Sequence, residues 1–144
     1  MSGWGADDAG VLVLPSGRSV RGRSLRRRRV PGDAFPDFAL HLSGRVPPGL
    51  PWPTRWLRWP DFALPVDRLD AQDALFEVWA RIDTERVKIT CTGGRGRTGT
   101  ALACLTVLDG LSADEAVSYV RQHYQPGAAE MPWQRRYVRR FLQP

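Results

Sequence analysis

The chain has 144 residues, 42% of them hydrophobic, which is enough apolar material for one core and too little length for two domains. Its formal net charge is +6, but all except Lys88 of its 21 basic residues are arginine, a skew that codon usage alone can produce, so charge is a weak sign of an anionic partner. Two cysteines in unrelated contexts exclude a disulfide framework and metal-ligand spacing, no apolar run reaches membrane-spanning length, and residues 1–8 lack the features of a signal peptide, so a soluble cytoplasmic protein is expected.

In chain order, residues 11–14 and 19–21 flank Pro15-Ser16-Gly17 and predict an N-terminal hairpin or loose edge strands. Residues 26–36 read as a loop. Its Arg26–Arg29 run is the densest basic patch, and without interleaved aromatics it reads as a solvated face rather than a nucleic-acid contact. A strand is expected over 38–42, then a Pro/Gly-rich stretch over 44–53, then a strand over 55–59 that delivers Asp61 at its carboxyl end. Residues 67–83 read as a helix with Leu69, Ala74, Leu75, Val78, Trp79 and Ile82 as its apolar stripe and aspartates crowding its first turn.

The β-branched run 86–90 predicts a buried strand, and the apolar run 101–108 predicts a helix stopped by Gly110. Ser112 and Glu115 form a capping box for the helix that follows, which Pro126-Gly127 breaks. Pro132 opens a last helix in which Trp133, Tyr137, Val138 and Phe141 are expected to face inward and Arg135, Arg136, Arg139 and Arg140 to face water. The fold class implied is α/β, with a central mixed, largely parallel sheet flanked by helices. In such sheets ligands sit at the carboxyl ends of strands, so Asp61 and Cys91 are expected on one edge.

The most informative stretch lies between the 86–90 strand and the 101–108 helix: Cys91-Thr92-Gly93-Gly94-Arg95-Gly96-Arg97-Thr98-Gly99-Thr100. A glycine-rich loop there can turn its amides inward, and the helix N-terminus adds partial positive charge, which together make an anion cradle. Cys91 heads the cradle as a potential nucleophile. Arg97, after five intervening residues, can grip two oxygens of a phosphoryl group through its planar fork. Thr98 can donate a hydrogen bond to the Cys91 sulfur.

This stretch resembles the phosphate-binding loop of the cysteine-based protein tyrosine phosphatases, which usually reads HCSAGIGRSGT or a near variant. Trp59-Pro60-Asp61-Phe62-Ala63-Leu64-Pro65 is similar to that family's WPD loop, and Asp61 precedes Cys91 by 30 residues, in the family's order. A weaker match, Glu130-Met131-Pro132-Trp133-Gln134, resembles the late loop that positions the hydrolytic water. The resemblance spans residues 35–142. It implies an N-terminal segment over 1–34 within the same domain, and a catalytic core over 35–144 with a tyrosine-phosphatase-like fold of the compact, dual-specificity size.

The resemblance also implies metal-independent phosphomonoester hydrolysis through a phosphocysteine, without cofactor, on the acid side of neutral. Cys91 would be the nucleophile, Arg97 the phosphate ligand, Asp61 the general acid and Thr98 the stabiliser of the departing thiolate. Glu130 and Gln134 would place the water, while Thr92, Gly93, Gly94, Arg95 and Gly96 line the cradle. The implied partner is a phosphorylated protein, phosphotyrosine foremost, with phosphoserine, phosphothreonine and phosphoinositide substrates left open; no membrane is expected, and nucleic acid is the disfavoured partner. Two departures stand out: Thr90 occupies the place of the family's histidine, and Arg95 adds a charge where the family often has an apolar residue. They leave open a phosphate-binding pseudophosphatase, and the Arg26–Arg29 run leaves open a phosphatase of nucleic-acid 5′-phosphates.

Other motifs fail. Gly94, Gly96 and Gly99 satisfy the dinucleotide fingerprint, but no strong strand follows to complete a βαβ unit. A P-loop NTPase needs Lys after Gly99, where this chain has Thr100. Low-molecular-weight phosphatases and arsenate reductases place the acid after the cysteine, the reverse of the order here. Cys104 reads as a core thiol, Asp37 as structural, and His41 and His123 receive no catalytic role.

Overall fold

A computed structural model describes residues 3–25 and 32–143, so the Arg26–Arg29 run lies outside the described residues. The elements follow as β1 (Val11–Val13), β2 (Ser19–Ser24), β3 (Phe38–Ser43), β4 (Thr54–Arg58), α1 (Arg68–Arg81), β5 (Val87–Cys91), α2 (Gly96–Leu108), α3 (Ala113–His123) and α4 (Pro132–Arg140). The strands form one sheet in the order β1-β2-β5-β3-β4. Only the β1–β2 hairpin is antiparallel; β2 and β3 both run parallel to β5, and β4 runs parallel to β3. This is the mixed, largely parallel α/β sheet that the alternation of strand and helix patterns implies.

The N-terminal hairpin forms as expected, with β1 at the sheet edge and β2 inside. β2 lies between β1 and β5, and its Gly22 passes so close to Tyr124 that a Cβ there would stand 2.7 Å from the ring. Side chains alternate across the sheet. Leu40, Leu42, Leu57 and Ile89 bury one face against the helices, and Val20 from β2 joins the same core. Helix α2 is buried over Gly96–Thr106 and packs against α1, α3 and α4. The other face carries Lys88 and Thr90, with Trp4 and Trp52 laid near them: Trp4 donates its indole N–H to Val87 O at 3.0 Å, and the Lys88 ammonium stands 4.2 Å from the Trp52 ring centre.

Three local expectations change. Helix α2 begins at Gly96 rather than after Thr100, so Arg97 and Thr98 belong to its first turn. The glycines that suit a loop also suit a close-packed helix entry: a Cβ on Gly99 would stand 2.5 Å from the Ala128 Cβ. Leu69 is 77% exposed rather than part of the α1 stripe, because it lies on the opposite side of the helix from the buried Ala71, Ala74, Leu75 and Val78. Trp133 is 43% exposed and does not face the core, since its position in the first turn of α4 turns it toward the loop after β4.

Candidate active site

The sheet order brings three carboxyl ends together. β5 ends in Cys91, β3 ends near Leu42, and β4 runs into Trp59 and the loop that holds Asp61. Between β5 and α2 the chain turns tightly. Gly94 adopts φ +68° and lies against the backbone of β2, where a Cβ would be 2.7 Å from Ser24 N. A side chain is therefore excluded twice, by backbone conformation and by space. The loop is braced from outside: Tyr124 donates its hydroxyl to Gly94 O, Ser24 donates its own to Thr92 O, and Leu25 N donates to Cys91 O at 3.1 Å.

The Cys91 sulfur accepts two hydrogen bonds, from Gly94 N at 3.1 Å and from the Thr98 hydroxyl at 3.0 Å. Both donors hold the sulfur in place at the head of the loop. Helix α2 starts five residues later with no side-chain cap, so its first amides and the positive end of its dipole face the same space. Arg97 is 4% exposed; its Nη1 donates to Trp59 O at 3.1 Å and Leu42 O at 3.4 Å, and its Nη2 stands 3.3 Å from Asp61 Oδ1. Two main-chain carbonyls thus aim the guanidinium, which lines the cavity beside Cys91 and Asp61.

That cavity, about 580 Å³, is lined by Asp61, Phe62, Cys91, Arg97, Glu130 and Gln134 among others. The structure therefore gathers Cys91, Arg97, Asp61, Glu130 and Gln134 with Thr92, Gly93, Arg95 and Gly96 on one surface. Thr98 lies beneath it, fully buried. Arg95 sits at the mouth, ion-paired with Glu130 at 3.0 Å and with its side chain 54% exposed. Gln134 is fully buried; its Oε1 accepts from Met131 N at 3.1 Å and its Nε2 reaches Ala63 O at 3.5 Å, so it caps α4 and touches the acid loop.

Sequence reasoning missed several contributors. The cavity wall Gln125-Pro126-Gly127 read only as a helix break. Trp133 donates its indole N–H to Phe62 O, next to Asp61. His41, left without a role, is 2% exposed and lies 2.8 Å from the Thr90 hydroxyl. Burial, and then the nearby Arg97 charge, hold the His41 imidazole below its ordinary pKa and keep it neutral. Nothing local in the sequence marks these contacts, which join residues 30 or more positions apart. Cys104 fits its expected core place: burial pushes its thiol up, and it is fully enclosed.

A largely parallel sheet that presents a Cys-x5-Arg loop at its carboxyl edge, with an aspartate loop folded beside it, defines the class of cysteine-dependent phosphatase folds. Residues 60–142 match the model of the PTP-SAK family, described as a Swiss Army Knife protein, DSP-PTPase phosphatase domain, and the chain belongs to that family. The chain is 28% identical over 127 residues to the uncharacterized protein MJ0215 of Methanocaldococcus jannaschii, with 76% of this chain and 79% of that protein covered.

Among solved structures it is similar to Tk-PTP in its active form, with a TM-score of 0.61 and 28% identity over 71% of this chain and 74% of that one. It is also similar to a glycine-to-alanine mutant form of Tk-PTP, with a TM-score of 0.64 and 26% identity over 73% and 75%. Kinase-associated phosphatase, solved with its catalytic-site cysteine replaced by serine, shares the fold with a TM-score of 0.62 at 20% identity over 73% of this chain and 67% of that chain.

Proposed function

We propose that the chain is a metal-independent phosphomonoesterase working through a phosphocysteine. The observation that supports this best is the doubly hydrogen-bonded Cys91 sulfur beside the buried Arg97 guanidinium. In the first step the Cys91 thiolate attacks phosphorus. The S–P bond forms as the P–O bond to the alcohol breaks, and Asp61 gives its proton to the leaving oxygen. Arg97 and the loop amides hold the charge on the three phosphoryl oxygens throughout. In the second step Asp61 takes a proton from water, whose oxygen attacks phosphorus. The S–P bond breaks, inorganic phosphate leaves, and Gly94 N and the Thr98 hydroxyl receive the returning thiolate. Glu130 and Gln134, on the cavity wall, position that water.

The substrate class we propose is a phosphorylated protein side chain, phosphotyrosine foremost. Phe62, 49% exposed on the cavity wall, offers apolar surface to an aryl leaving group. The test is hydrolysis of p-nitrophenyl phosphate across pH, with chelator, for wild type, Cys91→Ser and Asp61→Ala. Turnover that survives chelation, vanishes in Cys91→Ser and weakens in Asp61→Ala is the expected result. Bound phosphate without turnover in the wild type refutes the reading and leaves a phosphate-binding module.

A further inference from the structure

The His41–Thr90 contact occupies a particular row of the sheet. It is the last pair in the parallel register between β3 and β5. One residue further along β3, Leu42 O receives the Arg97 guanidinium; one residue further along β5 stands Cys91. The two side chains therefore meet at the point where the strand that seats the phosphate ligand separates from the strand that carries the nucleophile. Both are 2% exposed, so the bond between them is shielded from water. They lie on the sheet face opposite Leu40 and Leu42, in a row with Arg23 on β2 and Trp56 on β4. Thr90 and Trp56 bring no charge to the ring, and Arg97 is the cation whose field reaches it.

We infer that His41 is a positioning residue of the active site: through its buried bond to Thr90 it fixes the spacing between the Cys91 and Arg97 ends of β5 and β3. The inference rests on the phosphomonoesterase reading for its kinetic consequence, but not for its geometry. A buried hydrogen bond lost on one side leaves a polar group without a partner, and such a loss weakens a coupled equilibrium by roughly 5- to 150-fold. Placement of a nucleophile against a held phosphoryl group is sensitive at that level, because catalysis depends on near-attack alignment. The bond is legible only in three dimensions, since 49 residues separate its partners.

The test compares wild type with Thr90→Val, Thr90→Ser, His41→Phe and the Thr90→Val/His41→Phe double variant, each checked by thermal melting. Thr90→Val keeps the shape of the side chain and is the variant least exposed to misfolding. The expected result is a fall in kcat with little change in KM for Thr90→Val and His41→Phe. The double variant should lose about as much as either single one, and Thr90→Ser should recover most of the rate. Wild-type kcat in folded Thr90→Val, or losses that multiply independently, overturns the inference. Should the wild type turn over no phosphomonoester, the proposed function fails and the tie is read on the free thiol instead. The rate of Cys91 alkylation by iodoacetate across pH, and the affinity for inorganic phosphate, should then both fall in Thr90→Val and return in Thr90→Ser. Unchanged alkylation profiles and phosphate affinity, with or without a lower melting temperature, overturn it.

Discussion

Trp133→Phe isolates one hydrogen bond on the acid loop. The Trp133 indole donates to Phe62 O, one residue past Asp61, while Ala63 O is held separately by Trp59 Nε1 at 2.8 Å and Gln134 Nε2 at 3.5 Å. Phe62 sits at φ +59°, a left-handed conformation that costs a non-glycine residue about 1–2 kcal/mol, so the loop relaxes unless its contacts hold it. Trp133 is 43% exposed, so water takes the place of the lost partner and the net loss is that of an ordinary hydrogen bond, about 0.5–1.5 kcal/mol. With strain and contact balanced, the folded-over loop is about half occupied, and that loss lowers its occupancy, and hence kcat, by about 1.5- to sevenfold. KM should hardly move, because the phosphoryl group is held by Arg97 and the loop amides. The assay compares phenyl phosphate with p-nitrophenyl phosphate: the more basic phenoxide needs the Asp61 proton more, so its kcat should fall further. Equal losses on the two esters, or an unchanged kcat in a folded variant, refutes the reasoning.

Two further outcomes follow from packing and protonation. Gly99→Ala places a Cβ 2.5 Å from Ala128 Cβ, 2.6 Å from Ala128 Cα and 2.9 Å from Ala129 N, so main chain must move, and urea unfolding should show a loss of about 1–3 kcal/mol. Gly96→Ala meets first the flexible Glu130 Oε1 at 2.7 Å, so its loss should be clearly smaller; equal losses would mean that helix entry, not the 128–129 turn, sets the cost. His41 is held below its ordinary 6.5 by burial and then by Arg97, so between that value and its folded one the unfolded chain binds a proton that the native state does not. Its contribution to stability is therefore complete above about pH 6.5 and declines as pH falls through that window. Melting temperature against pH should lose this limb in His41→Phe, and parallel curves for the two proteins would contradict it.

The phosphate loop was legible because its parts are contiguous. A thiol, glycines, an arginine and a hydroxyl within ten residues cannot spread far apart, whatever the tertiary fold. The strands at 38–43, 54–58 and 87–91 were legible too: each is short and lies near turn signals, the last is rich in β-branched residues, and the first alternates Phe38, Leu40 and Leu42 on one side. The failures have separate causes. Leu69 sits on the far side of α1 from Ala71, Ala74, Leu75 and Val78, so apolar character alone does not place it in the stripe. Trp133 looks like core but spends its indole N–H on a carbonyl of another loop, a contact that residue type does not reveal. Arg18 illustrates the same limit from the polar side: it covers the Trp79 ring at 4.5 Å and reaches Asp83 at 3.6 Å, bridging β1–β2 to α1 in a way that no local pattern announces.

The site itself depends on something further removed from side-chain identity. Arg97 is oriented by the carbonyls of Leu42 and Trp59, main-chain atoms that any residue at those positions supplies. What makes them available is the strand order, with β3 between β5 and β4, so that three parallel strands end side by side and the guanidinium bridges the gap. Had β4 crossed to the other side of β5, Asp61 and Cys91 would keep their spacing in the chain while Arg97 lost one of its two seats. The motif therefore names the chemistry, while the topology sets the angle at which the arginine meets the phosphate. The His41–Thr90 tie closes the last row of β3–β5 pairing and holds that angle at the point where the motif ends and the sheet begins.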